Sequence, residues 1–236
     1  MRYKQTVLGA AWAVIQPFFT MIVFTIFFGN FAKIPSEQLP YPIFSYAALV
    51  PWLYFANALT QASNGMVAQR SVITKVYFPR LVVPVSSMLS GLPDFAISFT
   101  VLVVMMLYYG IQPTATALLV PVLLLFSLVT ALAVGLWLSA LNAIYRDVQF
   151  AMPFLIQFWL FATPVVYPSS LVPERWRAIF GINPMAGVIE GFRWALLGTG
   201  STLGPMFLVS MLVVLVLLVT GLLYFKHVER LIADIV

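Results

Sequence analysis

The sequence predicts an all-α membrane protein. It should have six transmembrane helices, an N-terminal amphipathic interfacial helix and two short outer-side helices before the last span. Three observations carry this. Of 236 residues, 62% are hydrophobic and only 8% charged, where soluble domains carry roughly 45–50% apolar and about 25% charged residues. Mean hydropathy is +1.02. The apolar residues fall into runs near the ~20 residues that a membrane helix needs, and basic residues mark the ends of those runs.

The elements follow in order, as one transmembrane domain over residues 1–236. RYKQTVLGAAWAVIQP opens the chain. On a helical wheel Arg2, Gln5, Gly9, Ala13 and Gln16 share one face, and Val7, Leu8, Ala11, Trp12, Val14 and Ile15 cover the rest. Basic residues at its start and a tryptophan at interface depth make residues 1–13 an amphipathic helix on the cytoplasmic surface. It reads either as a membrane anchor or as a helix at the cytoplasmic mouth that meets an amphiphilic substrate.

The first span runs from about Val14 to Phe31, and the second from Pro42 to about Gly65 with a kink expected at Pro51. The cytoplasmic loop over 66–82 contains RSVITKVYFPR, three of the chain's 12 basic residues and no acid. The third span covers about Val83 to Tyr109. Within it Asp94 follows Gly-Leu-Pro, where it can cap a helix that restarts there or serve a pathway. The fourth span, about Thr114 to Ile144, is long enough to tilt or project. The fifth, Phe150 to Tyr167, is short and holds Pro153 and Pro164.

Residues 168–202 form an outer-side segment. PERWRAIFG reads as a short helix ended by Gly181. Asn183-Pro184 then supplies a cap and first-turn residue for a second helix. Its apolar stripe Met185, Val188, Ile189, Phe192 and Leu196 predicts a helix lying on or dipping into the outer leaflet. Glu190 and Arg193 are i, i+3 neighbours, read either as a surface pair or as part of an outer gate. Trp176 and Trp194 suit the interface. The last span runs from about Leu203 to Phe225.

Charge orients the chain. With the N-terminus inside, Arg2, Lys4, Arg70, Lys75, Arg80, Arg146, Lys226 and Arg230 lie on the cytoplasmic side; Lys33, Arg175, Arg177 and Arg193 lie outside. That bias obeys the positive-inside rule with both termini cytoplasmic. Dropping the weak fifth span would put KHVER outside and worsen the bias.

Several functions are excluded or disfavoured. Cysteine is absent and His227 is the single histidine, so thiolate metal sites and disulfides are out and no metal site is expected. The net charge of +5 reflects topology, and nucleic acid is not an expected partner. No cleavable signal peptide is visible. No lysine follows a glycine, so the chain carries no phosphate loop and no ATP site of that kind. GTGST at 198–202 lacks the lysine and reads as a connector. Only Asp94 approaches the membrane interior, too little for a proton relay. A transporter of this kind borrows energy from a soluble ATPase and needs a second copy to build a wide pathway.

Four stretches together resemble the permease subunit of polysaccharide ABC exporters, the type that exports O-antigen, capsule or teichoic acid. They are RYKQTVLGAAWAVIQP at 2–17, VYFPR at 76–80, YRDV at 145–148 and NPMAGVIEGFRWALLG at 183–198. Members of that family usually carry a further segment ahead of the first motif, which here begins at Arg2. The resemblance implies a homodimeric permease in a bacterial inner membrane, bound to two copies of a separate ABC ATPase that holds ATP and magnesium. It implies a lipid-linked polysaccharide as substrate, moved from the cytoplasmic to the outer face. It makes the first helix a cytoplasmic gate, with Tyr3, Gln5, Trp12 and Gln16, and the paired outer helices an outer gate, with Trp176, Arg177, Glu190, Arg193 and Trp194.

The same resemblance makes the 70–80 loop a coupling helix seated on the ATPase. Its chemistry suits that: Val76, Tyr77 and Phe78 supply an apolar wedge, Arg70, Lys75 and Arg80 fix register, and Pro79 stops the helix. The plain alternative is interfacial anchoring of those same residues. Tyr46, Trp52 and Tyr54 are candidates for an aromatic translocation path on which sugars stack. The expected function is therefore export of a lipid-linked polysaccharide. The rivals are an ABC exporter of small amphiphiles or drugs, and an ATP-independent channel or scaffold.

Overall fold

The computed structural model describes residues 11–68, 80–145, 147–199 and 204–235, with side chains described as far as residue 229. Among them, five helices are long and apolar enough to cross a membrane, and a sixth apolar helix is shorter. Every element among the described residues is helical.

Helix α1, Trp12–Phe24, continues into a wider π-helical turn over Thr25–Phe31, so Trp12 opens the first span itself. Helix α2, Tyr41–Ala68, is one continuous helix with Pro51 inside it. The third span is divided into α3, Val82–Leu89, and α4, Leu92–Tyr108. Pro93 lacks an N–H, and its ring would crowd the carbonyl four residues back, so the helix stops after Leu89 and restarts. Gly91 takes the N-cap position, and Asp94 falls in the first turn of α4 rather than at the cap. There the carboxylate faces the positive end of the helix dipole.

A short 3-10 turn at Ala115–Leu119 leads into α5, Val120–Ile144. The fifth apolar helix, α6, is Val148–Ala162 and ends five residues before the expected Tyr167. The reason is Pro164: the residue before a proline is driven out of the helical region, and Thr163 is extended at φ −102, ψ 146. Helix α7, Glu174–Phe180, and helix α8, Pro184–Leu197, form the segment before the last span. Helix α9, Pro205–Ile235, runs ten residues past the expected end at Phe225.

Helix α2 is the axis. Of its best apolar window 83% is buried, against 17–33% for the four other spans. It packs against α1, α3, α4, α5 and α8. Helix α9 packs instead against α5, α7 and α8, and each of the four other spans turns one side to the bundle and one side outward. Helix α8 is inserted among α2, α5 and α9, and its residues are buried throughout except Trp194.

Candidate functional site

The extended segment after α6 poses a physical problem. Backbone carbonyls outside regular structure in an apolar setting need donors, and each one left without costs several kcal/mol, on the order of 2–7. Arg193 of α8 supplies them. Its guanidinium donates to the carbonyls of Pro164 at 2.6 Å, Val165 at 2.7 Å and Tyr167 at 3.3 Å. Its Nε donates to the Phe44 carbonyl of α2 at 3.4 Å, and the guanidinium carbon lies 3.6 Å from the centre of the Phe44 ring. Arginine suits this role because its planar fork offers five donors in fixed directions. Tyr41 adds a further donor, from its hydroxyl to the Val166 carbonyl at 2.7 Å.

Glu190, one turn back on α8, lies 3.5 Å from the Arg193 guanidinium, and Ser169 directs its hydroxyl and its amide at the carboxylate. Arg193 is 1% exposed and Glu190 6%. Burial draws the guanidinium down to about 10 while the Glu190 charge opposes it, so the cation persists at neutral pH. Burial pushes the Glu190 carboxyl up, against the pull of Arg193.

Of the two readings of this pair, the surface pair does not hold, because both side chains are buried. The apolar stripe is one face of α8; the opposite face is closed as well. Gly187 and Gly191 permit it, because a Cβ on Gly187 would stand 2.6 Å from the Ser210 Cβ of α9, and one on Gly191 would stand 2.7 Å from the Leu123 Cδ2 of α5. Small residues four apart let helices approach this closely. That spacing was readable in the sequence and was the signal for the burial.

Asn183 ties the end of α6 to the start of α8. It caps α8 as expected, its Oδ1 accepting from the Met185 N–H at 3.1 Å. The same Oδ1 accepts from the Trp159 indole at 2.9 Å, and its Nδ2 donates to Thr163 Oγ1 at 2.9 Å and the Ala162 carbonyl at 3.2 Å. Ser210 of α9 completes the junction: its hydroxyl donates to the Gly181 carbonyl at 2.9 Å and accepts from the Gly187 N–H at 3.2 Å. Gly181 ends α7 as expected, though with φ −65. It is required by space, since a Cβ would meet the Met206 carbonyl oxygen at 2.5 Å.

The remaining candidate residues are placed as follows. Of the outer set, Glu190 and Arg193 are brought together. Arg177 instead pairs with Glu174 at 3.8 Å and donates to the Val172 and Ser170 carbonyls at 3.0 and 3.3 Å. Trp176 is half exposed and Trp194 partly exposed. Trp12 and Gln16 are exposed at the start of α1. Tyr46, Trp52 and Tyr54 lie on α2 in the packed interior, none more than 4% exposed. Tyr54 donates to the Met88 carbonyl at 3.2 Å, beside the break between α3 and α4. Arg80 donates to the Glu229 carbonyl of α9 at 2.6 Å, joining the exit of the 70–80 loop to the last helix. Tyr3, Gln5, Arg70, Lys75, Val76, Tyr77 and Phe78 lie outside the described residues.

Comparison with known proteins places this arrangement. Residues 1–197 match the family model described as ABC-2 type transporter. The chain is 31% identical over 195 residues to the O-antigen export system permease protein RfbA of Myxococcus xanthus, covering 81% of this chain and 74% of that protein. It is 32% identical over 197 residues to a protein of the same name from Klebsiella pneumoniae, covering 82% and 74%. It is 21% identical over 204 residues to the polysialic acid transport protein KpsM of Escherichia coli, covering 83% and 76%.

Proposed function

The chain belongs to the ABC-2 type transporter family, and on that premise we propose that it is the membrane subunit of an ATP-driven exporter. Its cargo is a lipid-linked polysaccharide, moved from the cytoplasmic to the outer face of a bacterial inner membrane. The observation that carries this reading is the likeness to O-antigen export permeases over most of both chains. Both termini face the cytoplasm, which the distribution of basic residues supports.

The energy comes from a separate ABC ATPase holding ATP and magnesium, since the sequence has no phosphate loop. The ATPase docks on the loop that carries Arg70, Lys75, Val76, Tyr77, Phe78 and Arg80. Arg80's bond to α9 supports a route by which movement of the loop reaches the last span.

The working unit is a homodimer. Side chains fill the axis of one copy, so a polymer has no room there, and a path over Tyr46, Trp52 and Tyr54 would require α2 to part from its neighbours. A path between copies has rings available on the outside: Phe150 and Phe154 of α6 are 73–75% exposed, and Phe19 of α1 with Phe27 and Phe31 of its π-helical continuation are 55–73% exposed. The two helices adjoin at Phe28 and Phe161, with ring centres 6.4 Å apart. Trp12 and Gln16, together with Tyr3 and Gln5, form the cytoplasmic gate on this reading, and the Glu190–Arg193 pair holds the outer one.

The test is depletion of the chain in its native cell followed by localisation of lipid-linked glycan. Accumulation on the cytoplasmic face with loss at the surface is expected. Normal surface glycan without internal accumulation, in a strain lacking any second exporter of this family, overturns the assignment.

A further inference from the structure

Between α6 and the α2–α5 pair the packing leaves a crevice of about 620 Å³. Its walls include Leu59 of α2, Leu138 of α5, and Met152 and Ile156 of α6; Trp176 and Phe180 of α7 roof it. The polar groups at its head are already engaged. The Trp159 indole donates to Asn183 Oδ1 at 2.9 Å, and Asn183 Nδ2 donates to Thr163 Oγ1 at 2.9 Å. A sugar, peptide or nucleotide would find no partner for its own donors and acceptors there. The lining suits hydrocarbon.

The roof adds a charge. Arg175 is exposed, and its guanidinium carbon lies 5.7 Å from the centre of the Trp176 ring. Among the described residues it has no acidic partner, whereas its neighbour Arg177 pairs with Glu174 at 3.8 Å. A tryptophan of this kind sits at headgroup depth, and an arginine there is placed for a phosphate. Arg175 thus stands beside the roof residue Trp176, outside a lining that is almost wholly apolar.

We propose that the crevice between α6 and the α2–α5 pair binds one acyl chain of an anionic glycerophospholipid, with the lipid phosphate at Arg175. The slot explains why α6 packs only lightly on α2 and α5: the tail completes the contact. A bilayer lipid fits better than a second copy, because the space is a recess walled by three elements and a helix face cannot enter it. The site stands independently of the cargo assigned above, since it requires only the lipids of the membrane itself.

Native mass spectrometry tests this on the full chain, purified in detergent and exchanged into micelles carrying phosphatidylglycerol or phosphatidylcholine. The wild type is expected to retain one phosphatidylglycerol through delipidation, with about tenfold preference over phosphatidylcholine. Arg175→Ala should remove the preference and leave a tail bound. Ile156→Trp, which fills the recess from α6, should lose both lipids; Leu138→Phe fills it from α5 and serves if the first variant does not fold. Equal retention of the two lipids by the wild type, or unchanged retention when the recess is filled, overturns the proposal. So does retention of a polyprenyl lipid in preference to phosphatidylglycerol, which would assign the slot to the cargo.

Discussion

The Arg193 guanidinium lies 3.6 Å over the centre of the Phe44 ring, with the ring, three carbonyls after α6 and Glu190 enclosing it. This is a desolvated cation whose every direction is occupied. Its energetic meaning is asymmetric: the assembled network is not strongly stabilising against an apolar substitute, but removing one member leaves the others exposed to a low dielectric.

Arg193→Ala should therefore destabilise the protein by about 3–5 kcal/mol, leaving Glu190 buried without its counter-charge and the Pro164, Val165 and Tyr167 carbonyls without this donor. Arg193→Lys keeps the charge but not the fork, and should recover only part of the loss. Thermal unfolding in detergent, followed by size-exclusion fluorescence, reads this. The double variant Glu190→Gln with Arg193→Ala should be less unstable than the sum of the single changes. An additive result would show that the two side chains do not act as a pair.

Gly187→Ala puts a Cβ 2.6 Å from the Ser210 Cβ, so α8 and α9 must separate. The expected cost is about 1–3 kcal/mol. Combining it with Ser210→Gly should relieve the clash but also remove the hydroxyl that bridges Gly181 and Gly187, so rescue should be partial. Melting temperatures of the four combinations decide it; full rescue would mean the hydroxyl contributes nothing.

Trp52→Ala should cost roughly 3–5 kcal/mol, as large truncations in packed cores do, because Trp52 is 2% exposed and packs against Phe55 with ring centres 5.7 Å apart and the rings tilted by 48°. The yield of folded protein should fall before any transport rate is affected. A normal yield with slowed glycan export would instead put the ring on the translocation path.

Tyr77→Ala and Arg80→Ala, made separately, should each reduce co-purification of the partner ATPase while leaving the chain in the membrane. About tenfold weaker association is expected of an interface anchor. Arg80→Ala also removes the bond to the Glu229 carbonyl. If association survives both changes, the loop is an interfacial anchor and the docking surface lies elsewhere.

Much of this fold was legible because apolar runs, prolines and caps are local signals. Gly91-Leu92-Pro93 announced the restart of a helix, and Asn183-Pro184 announced the start of α8. The early end of α6 was legible too, in Pro164, which drives the residue before it out of the helical region. The burial of α2 was not. Lipid and protein interior are both apolar, so hydropathy cannot tell a central span from a peripheral one. Tyr46, Trp52 and Tyr54 could accordingly be read as path residues when nothing in their neighbourhood says which way they face. The partners of Arg193 were beyond reach for another reason. They lie 29, 28, 26 and 149 residues away along the chain, and an i, i+3 pattern shows only Glu190.

The separation between Arg193 and the carbonyls it serves has a consequence for how the protein is made. Synthesis proceeds from the N-terminus, so α6 and the segment 163–167 leave the ribosome well before residue 193 does. Until then those carbonyls have no arginine to meet them, and burying them in hydrocarbon is unfavourable. Full burial of the end of the 15-residue α6 is therefore unfavourable until α8 arrives, so the last step in seating that helix depends on a later part of the chain than its own.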